Sequence, residues 1–213
     1  MKQRRLLDLC CGVGLASWGY WRSARFSEIV GVDIENEMSS SYAFDFISCD
    51  MLTLTYDFLL QFDFIHASPP CQYYSKITPD RSKHPRLIPG THLMLHATGL
   101  PYVIENVEGS GQDLRPNLVM NGLYFGLKSD RKRYFHVSTL ASTERLIKRG
   151  KSELSPQGDY LNKAELSEAM GLELVSEKRR CNLTIKGIEQ GIPPIFTKTI
   201  AEMMFADEIR IGD

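Results

Sequence analysis

No run of apolar residues in this chain approaches the eighteen or so that a membrane-spanning helix requires, so a membrane protein built on helical spans is not expected. The opening stretch Met1 to Leu9 has too few apolar residues for a signal peptide, which makes the cytoplasm the expected compartment. Neither charge sign is in excess: 25 Lys and Arg face 26 Asp and Glu, for a net charge of −1. The molecule as a whole is not a polycation, so a nucleic-acid partner would have to be held by local patches. Paired cysteines are also lacking. The five cysteines, Cys10, Cys11, Cys49, Cys71 and Cys181, show no CxxC spacing and no companion His-Cys set. That argues against a disulfide framework or a zinc site and fits reduced cytosolic thiols. His92 and His96 stand four apart, yet no third ligand accompanies them, and no metal is expected. There is no internal repeat and no low-complexity segment.

What is present suits one domain with a full core: 213 residues, 43% of them hydrophobic. Strand-like and helix-like runs alternate through the first two thirds. Strands are expected at Arg5 to Leu9, Glu28 to Val32, Phe46 to Cys49, Asp63 to Ala67 and Pro101 to Ile104. Helices are expected at Val13 to Arg22, Glu35 to Tyr42, Tyr56 to Gln61 and Arg86 to Thr98, the last delayed by Pro89 and Gly90. This rhythm predicts an α/β fold with a parallel sheet and helices on both faces. Beyond about Asn121 it changes. Tyr134 to Val137 reads as a strand, Lys163 to Met170 as a helix, and Ile195 to Phe205 is apolar at helical spacing after Pro193-Pro194.

Candidate chemistry gathers at the expected strand ends. Asp8-Leu9-Cys10-Cys11-Gly12-Val13-Gly14 is a strand followed by a glycine turn into a helix, where backbone can approach a ligand closely. Asp33 ends the second strand, 21 residues after Gly12, where an acid can bind ribose hydroxyls. Asp50 ends the third, where a carboxylate can accept from an adenine amino group; the alternative for either acid is a backbone cap. The full GxGxxG is missing, since residue 17 is Ser. An adenosyl ligand without phosphates, such as S-adenosylmethionine, fits better than a dinucleotide. After the fourth strand, Pro69 and Pro70 stiffen the backbone before the thiol of Cys71, and 34 residues later Glu105-Asn106 follows another strand. A thiol and a carboxyl group at two strand ends suggest a nucleophile and a proton donor.

Taken together these residues resemble the cytosine-C5 methyltransferases. Asp8 to Gly14 is similar to that family's first cofactor motif, departing at Leu15 where a glycine is usual. Gly31-Val32-Asp33-Ile34 resembles the ribose-binding motif and Cys49-Asp50-Met51 the adenine-contacting one. Pro69-Pro70-Cys71-Gln72 resembles the PCQ nucleophile motif and Glu105-Asn106-Val107 the ENV motif. Ser129-Asp130-Arg131-Lys132-Arg133 keeps both arginines of QxRxR but not its glutamine. Gln190-Gly191-Ile192-Pro193-Pro194 resembles the last motif, NAVPP.

The resemblance implies a Rossmann-like class I S-adenosylmethionine-dependent methyltransferase sheet closed by a C-terminal helix. It implies Cys71 as nucleophile at cytosine C6, Glu105 holding or protonating N3, and Arg131 and Arg133 as fork donors to the base and to phosphates. The cofactor set implied is Asp8, Cys10, Gly12, Gly14, Asp33, Ile34, Asp50, Met51 and Pro70, with Gln72, Asn106 and Lys132 toward the substrate. The substrate implied is duplex DNA with the target base flipped out. RNA is less expected, because the Cys-Phe-Thr element of the tRNA-directed relatives is not found. A catalytically silent nucleic-acid-binding relative is the third reading. Residues 1–137 are expected to form the catalytic core, 138–188 a reduced target-recognition region, and 189–213 a return to the core. The middle region carries Arg145, Lys148, Arg149, Lys151, Lys178, Arg179, Arg180 and Lys186, which give backbone affinity rather than base readout. The compact form resembles small methyltransferases carried by phages and mobile elements, and a monomer is expected.

Overall fold

In the computed structural model, residues 4–151, 163–172 and 183–206 are described. Lys178, Arg179, Arg180 and Cys181 lie outside them. The elements are β1 (Arg5–Leu9), α1 (Leu15–Arg22), β2 (Glu28–Asp33), β3 (Asp45–Ser48), α2 (Tyr56–Leu59), β4 (Phe64–Ala67) and α3 (Ile88–Thr98). Then come β5 (Tyr102–Asn106), α4 (Gly111–Leu114), β6 (Leu118–Asn121), β7 (Lys132–Val137) and β8 (Glu144–Leu146). Three helices follow: α5 (Lys163–Ala169), α6 (Ile185–Gln190) and α7 (Pro194–Met204).

The eight strands form one sheet in the order β3-β2-β1-β4-β5-β7-β6-β8. The first five are parallel, as the βαβ rhythm predicts, but β7 runs antiparallel to both β5 and β6. The sheet is therefore mixed, not parallel throughout. The sequence reading missed β6 and β8, whose four and three residues are too short to show a period. It also expected a helix over Glu35 to Tyr42, where only a 3-10 turn forms at Asn36–Ser40. Its consecutive serines compete for backbone hydrogen bonds and disfavour a longer helix.

Strand alternation sorts the core into two layers. Leu6, Phe64, Val103, Phe135 and Val137 face the helices α1 and α7, with Tyr20, Phe196 and Ile200. Leu7, Leu9, Ile65, Ala67, Tyr102 and Ile104 face the opposite layer, with Leu59, Leu95 and Leu114. Helices thus cover both faces. Each fully buried large side chain here contributes roughly 1.5–3 kcal/mol. Among the described residues no helix is long and apolar enough to cross a membrane.

The two helices of the first layer touch through glycine. A Cβ at Gly19 would lie 2.0 Å from both the Pro194 carbonyl oxygen and Thr197 Oγ1, and Thr197 Oγ1 donates to the Ala16 carbonyl at 2.7 Å. The same device docks α6: a Cβ at Gly187 would meet Val13 Cγ1 at 2.3 Å, and one at Gly191 would meet Leu15 Cδ1 at 2.5 Å. Leu15, the departure from the family pattern, is thus accommodated by Gly191. A Gly19→Ala substitution must push α1 off α7, since backbone at Pro194 cannot yield alone. A loss of about 1–3 kcal/mol or more is expected, read as a lower urea midpoint at unchanged slope.

Candidate active site

The glycine turn after β1 is built from left-handed backbone. Cys10, Gly12 and Gly14 have φ of 55°, 51° and 83°. The turn is held from β2: Asp33 Oδ2 accepts from the Gly12 N–H at 2.9 Å, and Oδ1 accepts from the Glu35 N–H at 3.0 Å. A Cβ at Gly12 would meet nothing within 4 Å, so the space over the turn is open. Half-buried Asp33, half-buried Cys10 and buried Met51 stand beside one another, with Cys10 Sγ 3.5 Å from Met51 Sδ. Asp50 caps the turn Met51–Thr53 by accepting from the Leu52 N–H at 2.9 Å, the capping role that sequence left open. Ile34 is 69% exposed on the same rim. This cradle suits an adenosyl group: open space over glycine, an acid at the ribose place and apolar side chains beside it.

Asp8 does not face that cradle. It is fully buried on the α1 side of the sheet, accepting from Ser17, whose hydroxyl also bonds Tyr42 at 2.6 Å. Its expected role as a cofactor contact is corrected to that of a prop under the turn. The other oxygen, Oδ1, has no hydrogen-bond partner among the described residues.

The second half of the site joins β4, β5 and β7. Asn106, the last residue of β5, donates from Nδ2 to the Pro69 carbonyl at 2.8 Å and accepts from the Val107 N–H at 3.0 Å. It is 1% exposed, with both ends of its amide engaged, so the expected substrate contact is corrected: Asn106 is a strut that fixes the Pro-Pro-Cys loop. The Cys71 carbonyl accepts from Tyr74 and Ser75, each at 2.9 Å, which turns the chain sharply after the thiol. Pro70 and Gln72 are exposed on either side of it.

Glu105 and Arg133 meet because of the β5–β7 register. Glu105 pairs with Phe135, which makes Arg133 its diagonal neighbour on the same face. Arg133 Nε lies 2.9 Å from Glu105 Oε1. Lys132 and Tyr134 alternate to the other face, so Lys132 is separated from this pair. Arg131 is also unlike its expectation. It is 4% exposed, donates to the Glu189 carbonyl at the end of α6, and leaves Nε without a partner among the described residues. It cannot reach a phosphate from there; its positive charge acts locally. Ser129, in the place of the family's glutamine, is fully buried.

Burial pushes the Glu105 carboxyl above its ordinary range, against the pull of Arg133, Ser68 and Arg131. Burial and the neighbouring Glu105 raise the Cys71 thiol, while Arg133 and Arg131 lower it. Thiol, carboxyl and two guanidinium groups therefore act on one another. A carboxyl group poised to hold its proton beside a half-buried thiol is the pairing that proton-assisted nucleophilic addition requires. One contact beneath the site was not read from the sequence. His66, given no role there, is fully buried, with Nδ1 2.9 Å from Tyr20 Oη and Nε2 2.9 Å from Ser68 Oγ. The period-2 spacing of His66 and Ser68 was the available signal.

Burial, and less so Asp33, carries the Asp8 carboxyl up to about 7 despite the Ser17 hydrogen bond. The folded state thus binds a proton there more tightly than the unfolded chain does. Asp8 favours folding below about pH 4, and that contribution is lost as pH rises toward 7. The full span is worth about 4 kcal/mol. Asp8→Asn is expected to lose less stability than the wild type between about pH 5 and pH 8, measured by urea unfolding at each pH.

Residues 4–87 match the family model described as C-5 cytosine-specific DNA methylase. No curated protein matches the chain closely. Among solved structures, the Entamoeba histolytica methyltransferase EhMeth is similar with a TM-score of 0.69 at 14% identity, over 98% of this chain and 99% of that one. The S. pombe Dnmt2 methyltransferase is similar with a TM-score of 0.64 at 14% identity, over 99% of this chain and 100% of that one. A Spodoptera frugiperda DNMT2 mutant is similar with a TM-score of 0.52 at 20% identity, over 71% of this chain and 56% of that one. At these identities the structures speak for the fold, and the family model for the lineage of its first two strand-end motifs and the thiol loop. Residues 4–87 thus carry a match to the C-5 cytosine-specific DNA methylase model, and the chain as a whole has a methyltransferase fold.

Proposed function

We propose that this protein transfers a methyl group from S-adenosylmethionine to C5 of cytosine in DNA, through a covalent adduct between Cys71 and C6. The observation that carries this reading is the meeting of Cys71, Glu105 and Arg133 from three separate strands and loops. Bound in the glycine cradle, S-adenosylmethionine supplies a methyl group on a sulfonium, an electrophile that a plain cytosine C5 is too weak to attack. Gly12, Gly14, Asp33, Asp50 and Met51 are the residues that would hold it.

The chain's own groups do the rest. Cys71 loses its proton to solvent water and adds to C6 as the thiolate, and the electron pair of the C5–C6 double bond moves into the ring. Glu105 gives a proton to N3, so the ring carries no net negative charge and C5 becomes enamine-like. After methyl transfer the C5 proton passes to solvent water, and its bonding pair re-forms the C5–C6 double bond as the C6–sulfur bond breaks. The Cys71 sulfur departs as a thiolate, and Glu105 regains its proton. Arg133 holds Glu105 in place during both states. A cytosine inside a duplex cannot reach this buried corner, so the base must swing out.

DNA is favoured over RNA by the description of the family model and by the missing Cys-Phe-Thr element. Residues 138–188 serve, in this reading, as a reduced recognition region whose lysines and arginines grip backbone more than sequence. A monomer acting in a bacterial or phage-infected cytoplasm completes the proposal. Labelled S-adenosylmethionine offered with duplex DNA and, separately, tRNA tests it, followed by nucleoside analysis. Wild-type protein is expected to yield 5-methylcytosine in DNA, Cys71→Ala none, and Glu105→Gln about 100- to 10,000-fold less. Transfer to tRNA alone would overturn the choice of polymer, and silence on both would favour the non-catalytic reading.

A further inference from the structure

The thiol is held on both sides by the stretch of chain that carries the acid. Upstream, Asn106 donates to the Pro69 carbonyl at 2.8 Å. Downstream, the Cys71 carbonyl accepts from the Tyr74 N–H at 2.9 Å, so whatever fixes Tyr74 also fixes Cys71. Tyr74 is 5% exposed, and its Oη donates to Asp113 Oδ2 at 2.8 Å. Its carbonyl oxygen lies against Gly109, where a Cβ would come within 2.1 Å of it. Asn106, Gly109 and Asp113 all lie on the segment that leads from Glu105 through α4.

Asp113 has a second partner. Arg86 Nε donates to Oδ2 at 2.6 Å and Nη2 donates to Oδ1, a two-point contact. One carboxylate therefore ties both ends of the stretch from Tyr74 to Arg86. Between those ends no side chain is buried, and Lys76, Ile77, Arg81 and Lys83 are exposed. A stretch without core contacts keeps one conformation only if its ends are tied. Asp113 stands on firm ground for that task. Its neighbour Leu114 is fully buried, and the Leu114 carbonyl accepts from His92 Nε2 at 3.1 Å. Arg86 is exposed, and an exposed ion pair by itself adds little. What gives this one weight is the buried tyrosine that shares the carboxylate. Arg86 also holds the Asp113 carboxyl below the ordinary carboxylate range, so it stays an acceptor for both partners.

We propose that Asp113 is a positioning residue for the Cys71 nucleophile, clasping the loop after the thiol to the segment after Glu105 through Tyr74 and Arg86. Addition to cytosine needs sulfur at C6 and the acid at N3 at once, and a misplacement of about 1 Å costs about 100-fold in rate. With Asn106 and Asp113 on one segment, that segment sets the spacing of thiol and acid. The inference deepens the proposed methyl transfer and rests on it for its purpose, though not for its geometry.

Full-length wild type, Asp113→Ala, Asp113→Asn and Arg86→Gln test it. Two readouts need no turnover. Amide exchange followed by NMR is expected to be about tenfold faster at Tyr74 and Ser75 in Asp113→Ala, and unchanged at Ile65 inside β4. Iodoacetamide is expected to alkylate Cys71 several-fold faster in that variant, since the half-buried thiol gains solvent. In the methyl-transfer assay, kcat of Asp113→Ala is expected to fall about 10- to 100-fold, with S-adenosylmethionine binding by calorimetry unchanged. Asp113→Asn keeps an acceptor for the Tyr74 hydroxyl and is expected to recover most of that loss. Arg86→Gln leaves the Tyr74 bond in place and is expected to show a smaller loss than Asp113→Ala. Exchange that quickens equally at Ile65 would mark a merely stabilising contact and overturns the proposal. So does a folded Asp113→Ala protein whose loop amides, Cys71 alkylation or kcat match the wild type. Should Asp113→Ala fail to fold, Tyr74→Phe takes its place, removing the hydroxyl and keeping the ring. If exchange and alkylation respond as expected but the wild type methylates neither DNA nor tRNA, the clasp stands and the methyltransferase reading falls.

Discussion

The site depends on one opposition: burial drives the Glu105 carboxyl toward its neutral form, and the Arg133 guanidinium 2.9 Å away draws it toward the ionised form. Either influence alone would disable a proton donor. Burial without a partner would leave an acid that never ionises, and a fully satisfied ion pair would leave a carboxylate with no proton to give. The balance holds because Glu105 is the penultimate residue of strand β5, where the sheet fixes its direction and β7 brings Arg133 to its diagonal. Much of the remaining architecture keeps these two side chains in register.

The inserted strand β7 does most of that work. By pairing antiparallel with both β5 and β6 it carries Arg131 and Arg133 onto the face that Glu105 uses, and sends Lys132 to the other. Arg131 then reaches the Glu189 carbonyl at the end of α6, so the last sequence motif is tied to the catalytic one through a single buried cation. The helices α6 and α7 are seated by glycines that allow backbone contact with Val13, Leu15 and α1. Cofactor turn, acid and C-terminal segment are thus one packed unit.

That same buried face carries other polar groups. Asp8, His66 and Glu105 follow the alternation of β1, β4 and β5 into the layer under α1, and Ser17, Tyr20 and Tyr42 meet them there. Placing ionisable groups in an aromatic layer costs stability, and burial holds the Asp8 carboxyl up to about 7. Hydrogen bonding keeps the cost bounded. The arrangement trades core cohesion for fixed geometry beneath a reactive centre.

Local order was largely legible in the residues. The βαβ rhythm, the glycine turn, the thiol after its strand and the acid near the end of its own follow from side-chain period and backbone freedom, which are properties of neighbouring residues. Asp33, Cys71 and Glu105 stand where strand ends put them. What the sequence did not decide was which neighbours these groups acquire. The antiparallel course of β7, the burial of Arg131, the inward turn of Asp8 and Asn106 and the joining of His66 to Tyr20 all depend on contacts between segments far apart in the chain. Short strands such as β6 and β8 carry no period of their own and form only when a partner edge is present. Sequence alone determined the chemical groups and the secondary structure that offers them. Tertiary packing decided their solvent exposure and partners, and with these their protonation, because desolvation and registry exist only once the sheet has closed.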